Sequence, residues 1–214
     1  MSGPLNGPTA ERVLLGEAAE LLLHRLRVQP KVADAEAPEE AVAPLVAAGW
    51  AHARGRWVVL TPDGRAEADV RFRLEPGSDA EQRAARAYEQ FLPRNTELLR
   101  LCTDWQVRPG GTPNDHRDPA YDWSVIDRLV ALDERTAPVL RRLGREAVRF
   151  APYRDRLRSA RRKVEAGEHD WFASPRVDSY HTVWMQLHED LLLALGIDRA
   201  SESDGAPGAA RGAP

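Results

Sequence analysis

Apolar residues recur at helical spacing along most of the chain and at strand spacing in one short place. Val13, Leu14, Ala18, Leu21, Leu22 and Leu26 predict a helix over residues 10–27. Ala41, Val42, Leu45, Val46 and Ala48 predict another over 38–49, stopped by Gly49. Trp50-Ala51-His52-Ala53 and Trp57-Val58-Val59-Leu60 flank Arg54-Gly55-Arg56, the pattern of two strands around a Gly-centred turn. Thr61 is placed to cap a further helix, with Pro62 at its first position. This part of the chain reads helix, helix, helix, hairpin, helix.

Glu75-Pro76-Gly77-Ser78 then interrupts the pattern, because Pro-Gly breaks helices. Beyond it four or five helices are expected: 80–92; 96–105 with Asn95 as cap; 122 to about 147, kinked or broken at Pro138; 153–167, Arg-rich and mostly exposed; and a last one opened by Ser174-Pro175 and ended by Gly196. The expected fold is mostly α with one small β-hairpin. A small domain spans 10–75 and a helical bundle 79–199, with a disordered N-terminus at 1–9 and a disordered tail at 200–214.

Composition narrows the function. The chain has 214 residues, 43% of them hydrophobic and 29% charged, enough apolar material to exclude a wholly disordered chain. No run approaches the ~18 apolar residues of a membrane span, and the first residues lack the basic and apolar regions of a secretory signal. A cytoplasmic protein with no membrane partner is expected. The single cysteine, Cys102, excludes an internal disulfide and a thiolate cluster, and reads as a buried small hydrophobe. With 30 basic and 33 acidic residues, net charge −3, composition alone provides no basic face.

The phrase Leu45-Val46-Ala47-Ala48-Gly49-Trp50, the Arg-Gly-Arg turn, and Leu60-Thr61-Pro62-Asp63-Gly64-Arg65 together resemble the winged-helix domain of MarR-type and PadR-type transcriptional regulators. The resemblance covers about residues 10–75 and implies a winged helix, a helix-turn-helix regulator of transcription acting as a homodimer on DNA. In that fold the helix before the wing enters the major groove. Base edges are read by polar or basic side chains, and phosphates are held by Lys and Arg. Between Lys31 and Arg54 this chain has no basic residue and carries Asp34, Glu36, Glu39 and Glu40 instead. Acids also favour a helix N-terminus, so the Glu39-Glu40 pair has a structural reading too. Arg54 and Arg56 in the wing are the candidate DNA contacts.

Two stretches of the second domain concentrate chemistry. The loop 106–121 holds Arg108, Asn114, Asp115 and His116, framed by Trp105, Tyr121 and Trp123; it reads as a pocket wall, as ordinary turn chemistry, or as a mobile loop. The last helix carries Tyr180, Trp184 and Leu187 on one stripe and His181, Met185 and His188 on the next. His181 and His188 stand about 10 Å apart along a helix, too far for joint chelation. Asp178 with His181 has ligand spacing, and His188 would need a partner such as the His116 loop. Structural or ligand-binding histidines are therefore preferred, and no metal or cofactor is expected. The run Arg154, Arg156, Arg158, Arg161, Arg162, Lys163 reads as a solvated basic face or an acidic-ligand contact.

Two functions remain open. One is a winged-helix regulator whose second domain dimerises and senses a small ligand among Trp105, Arg108, Asn114, His116, Tyr121, Tyr180, His181, Trp184 and His188. The other is a winged-helix scaffold that has lost DNA binding. It would act as a small-molecule-binding protein or enzyme, with His116, His181 or His188 as acid–base groups oriented by Asp115, Asp122 or Asp178.

Overall fold

The computed structural model describes residues 13–199, apart from the side chain of Glu146. The expected disordered termini, 1–9 and 200–214, lie outside the described residues. The chain is mostly helical with one three-stranded antiparallel sheet, and it divides into two compact units on either side of Phe72 and Arg73.

The first unit runs α1 (Glu17–Val28), β1 (Val32–Ala33), a 3-10 turn (Asp34–Glu36), α2 (Glu39–Ala47), β2 (Ala51–Arg54), β3 (Trp57–Leu60) and α3 (Pro62–Phe72). Strand order is β1-β3-β2, with Val32 opposite Val58 and Arg54 opposite Trp57. Leu22, Leu23 and Leu26 of α1 share one core with Leu45 of α2, Val58 of β3 and Ala68 of α3. Two expectations change. The helix does not start at residue 10: Val13 and Leu14 precede it, and Leu14 is 95% exposed. Where a third helix was expected before the hairpin, the chain makes a two-residue strand and a three-residue 3-10 turn, since Pro30 and Pro38 leave too few residues between them for a helix.

The second unit comprises α4 (Asp79–Gln106), α5 (Pro119–Glu146), a 3-10 turn (Val148–Phe150), α6 (Ala151–Glu165), α7 (Asp170–Ala173) and α8 (Tyr180–Leu195). The chain joins this unit by Leu74, whose N–H donates to the Ala194 carbonyl, and Ser78 caps α4 through the Glu81 N–H. The two helices expected at 80–92 and 96–105 are one helix that runs through Pro93, and α5 likewise runs through Pro138. Both prolines, and Glu89 and Glu134 whose carbonyls they deprive of a helix donor, are exposed residues, where the loss of a helix bond costs least. The last helix starts at Tyr180, capped by Ser179 through the Thr182 N–H, rather than at Ser174-Pro175; Gly196 ends it in the left-handed region. No described helix is long and apolar enough to cross a membrane.

The bundle packs α5 between α4 and α6 and lays α8 against α4, α6 and α7. Buried polar groups are tied. Tyr180 donates to Asp133, which also pairs with Arg161, and Tyr153 donates to Asp190, which pairs with Arg149. Burial first, and the neighbouring carboxylate second, hold both phenols well above their ordinary pKa. The Arg run of α6 is more partnered than expected. Arg156 holds Asp178 and Gln186, Arg161 holds Asp133 and Glu165, and Lys163 lies over Trp171.

Candidate functional site

The connection between α4 and α5 is ordered by its own backbone and side chains. Val107 and Pro113 form a bridge, and Gly110 and Gly111, both at positive φ, turn the chain between them. Asn114 then donates its two amide hydrogens to the Trp105 carbonyl (3.1 Å) and to Asp122 Oδ1 (2.8 Å), while its Oδ1 accepts from the His116 N–H. Asp118 caps α5 through the Tyr121 N–H and pairs with Arg108, whose guanidinium also lies over Tyr121. The Arg108 hydrogen bond, with the Tyr121 N–H second, holds the Asp118 carboxyl below its ordinary pKa.

These constraints deliver His116 to Asp122. Nδ1 of His116 stands 3.1 Å from Asp122 Oδ2 and 3.2 Å from Oδ1. With the Asn114 hydrogens already used, an Nδ1–H donated to the carboxylate fixes the imidazole and leaves Nε2 as the basic nitrogen. His116 reaches this position at φ 58, the one non-glycine residue at positive φ among those described, a conformation a β-carbon disfavours. Asp122 is 4% exposed, and among the described residues His116 is its only ion-pair partner.

A second imidazole comes from a segment that the sequence did not single out. His169, exposed, precedes α7, and its ring centroid lies 4.8 Å from that of His116. One ligand atom each from His116, Asp122 and His169 lie within 4.8 Å of one another. Trp105 walls the group, 4.4 Å from His116, edge-on to His169, and stacked on Phe172 of α7 at 4.5 Å. Such a group can hold a metal ion or move a proton at His116.

Of the expected ligand residues, Trp105, Asn114 and His116 meet here with Asp122, and Arg108 and Tyr121 sit beside them around Asp118. The last helix is not part of the group. His188 packs on Phe91 at 5.0 Å, and Trp184 stacks on Phe91 while its Nε1–H donates to Asn95, a residue inside α4 rather than a cap. Phe91 and Trp105 are 14 residues apart on one helix, about 21 Å along its axis. Tyr180 is held by Asp133, and Asp178 by Arg156. His181 is half-buried, and that burial lowers its pKa. Asp115 is exposed and accepts from the Arg117 N–H. A concavity between α4 and α5, lined by Arg83, Arg86, Gln90, Val139 and Arg142 among others, holds none of the expected residues.

In the first unit Arg54 and Arg56 are exposed at the hairpin tip. Arg54 donates to His52, and Arg56 and Lys31 both lie over the Trp57 ring, at 4.9 and 4.3 Å. Set against protein-family models, curated proteins and solved structures, the chain matches none.

Proposed function

We propose that the chain is a winged-helix transcriptional regulator whose first unit meets DNA through its hairpin and whose second unit dimerises and senses a small ligand. The carrying observation is the strand order β1-β3-β2, in which a helix precedes an antiparallel hairpin with exposed Arg54 and Arg56 at its tip. Trp57 gathers Lys31 and Arg56 on one ring, so these two cations lie together for phosphate contact. The outward positions of α2 are Glu39, Glu40, Ala43, Val46 and Ala47, which offer no base-reading donor. The hairpin therefore leads, and affinity is largely electrostatic. The ligand site is the group around His116, and ligand binding shifts the population of DNA-competent dimers. Exposed Leu99, Trp123 and Val148 supply apolar surface for dimer contact.

The test is fluorescence anisotropy of the full chain on genomic-fragment DNA across a salt series. Arg54→Ala and Arg56→Ala should each weaken binding and flatten the slope of log K against log salt by about 0.9 for each phosphate no longer neutralised. No binding at low salt, with or without ligand, overturns the regulator. The acidic outer face of α2 and the His116–Asp122 pair favour the second reading, a scaffold without DNA binding that uses His116 as an acid–base group. That reading predicts the null result on DNA.

A further inference from the structure

We propose that His116, Asp122 and His169 form a binding site for a divalent transition-metal ion of the zinc class. The inference rests on the ligand-sensing half of the proposed function and names the ligand; it does not depend on DNA binding.

Three observations carry it. The first is donor geometry. Metal bonds of about 2.0–2.1 Å in a tetrahedral site separate neighbouring ligand atoms by about 3.3 Å. The His116 Nδ1–Asp122 Oδ2 edge is already 3.1 Å; a metal at Nδ1 takes the place of the Nδ1–H of the free pair and leaves the ring proton on Nε2, and the third donor lies within 4.8 Å on an exposed side chain able to close the remainder by rotation. The second is charge. Asp122 is buried with no Arg or Lys ion pair among the described residues. A buried carboxylate beside two imidazoles is stabilised by a cation placed between them. The third is support from the next shell. Asn114 donates to Asp122 Oδ1 and is itself anchored on the Trp105 carbonyl, so Oδ2 is left to the histidines. Hydrogen bonds of this kind orient ligands in metal sites.

The donor set selects the ion. Two imidazoles and one carboxylate suit zinc, cobalt, nickel or ferrous iron, whereas magnesium and calcium prefer all-oxygen shells. Three protein donors leave an open position, and the exposure of His169 puts that position at the surface. A bound ion would tie the α4–α5 connection to α7 by coordination, where the ring contacts of Trp105, His116, His169 and Phe172 already bring the two segments together.

The experiment uses the full chain, stripped with a chelator and dialysed. Zinc chloride is titrated by calorimetry, and cobalt(II) is followed by the visible absorption of its four- or five-coordinate form. Wild type should take up about one ion per chain, and magnesium should not compete. His169→Gln, at an exposed position, and Asp122→Asn, which keeps shape, should abolish the cobalt spectrum. Asn114→Ala should weaken binding by about 10–100-fold. His52→Ala, in the other unit, should bind as wild type. Absence of zinc and cobalt binding by wild type, or binding unchanged in both His169→Gln and Asp122→Asn, overturns the site. The readout is the ion itself, so a failure to bind DNA with intact metal uptake would sink only the regulator.

Discussion

Gly64→Ala is predicted to destabilise the first unit although it replaces a glycine inside a helix. Thr61 joins α3 to the chain before the hairpin: its N–H donates to the Trp50 carbonyl, its hydroxyl donates to the Gly49 carbonyl, and the Gly64 N–H donates back to that hydroxyl. The first turn of α3 is thereby pulled onto the backbone of Trp50. A Cβ on Gly64 would lie 1.9 Å from the Trp50 oxygen and 2.7 Å from its carbonyl carbon. Restoring ordinary contact requires about 1.5 Å of movement between two backbones rather than a side-chain rotation. Overpacking costs about 1–3 kcal/mol, and backbone against backbone belongs at about 3. Alanine regains about 1 kcal/mol of helix propensity, so the net loss is about 2 kcal/mol. Ala66→Gly, exposed on the same helix, should lose only about 1 kcal/mol, the propensity alone. Hydrogen-exchange mass spectrometry of the full chain, with urea melts, separates the units. Exchange in the β2, β3 and α3 peptides should rise roughly 30-fold in Gly64→Ala, with α4–α8 unchanged. A variant as stable as wild type, or more stable, would refute the argument, because propensity would then have outweighed the clash.

Two further outcomes follow from burial. The Cys102 thiol is pushed up to about 12 by burial, so native protein should resist an aromatic disulfide reagent at pH 8 and react fully once unfolded; fast labelling of the native chain would contradict this. Burial depresses the pKa of His181, so the fold favours the neutral ring. Its contribution to stability is present above the ordinary value near 6.5 and is lost as pH falls through the lowered folded value. His181→Gln should flatten that part of a stability–pH profile measured by urea melts, and identical profiles in both proteins would exclude the effect.

The first unit was legible because its signals are local. The hairpin follows from a Gly-centred turn between two alternating runs, although the turn is only Gly55-Arg56, because Arg54 belongs to β2 and pairs with Trp57. Thr61 caps α3 as its sequence position indicates. The strand β1 was not legible, since Val32 and Ala33 form only two residues of sheet and pair with β3 across 24 residues of chain. The phrase from Leu60 to Arg65 has a physical content that composition does not reveal: Thr61 and Gly64 form a joint between helix and hairpin. That joint accounts for these residues by packing alone, whatever the hairpin touches.

In the second unit the continuity of α4 shows why the expected site does not assemble. The expected grouping of the His116 loop with His181 and His188 rests on their shared chemistry alone, and no sequence spacing connects them. The solvent side tolerates the proline, so α4 remains one rod of 28 residues, about 42 Å long. Phe91, midway along it, carries Trp184 and His188, and Trp105, at its C-terminal end, carries His116. Only what packs at the Trp105 end can complete the site, and that is α7 with the residue before it, which bring Phe172 and His169. The signal present in the chain was a histidine between Gly167 and the Trp171-Phe172 pair, a polar side chain beside an aromatic anchor in a short connection. The anchor is decisive: Phe172 stacks flat on Trp105, 5° from parallel, and thereby fixes where the neighbouring His169 can reach. Phe172→Ala should therefore release His169 and weaken cobalt(II) uptake measured by its visible absorption, while Asn114 still holds His116 on Asp122; uptake equal to wild type would refute the anchor.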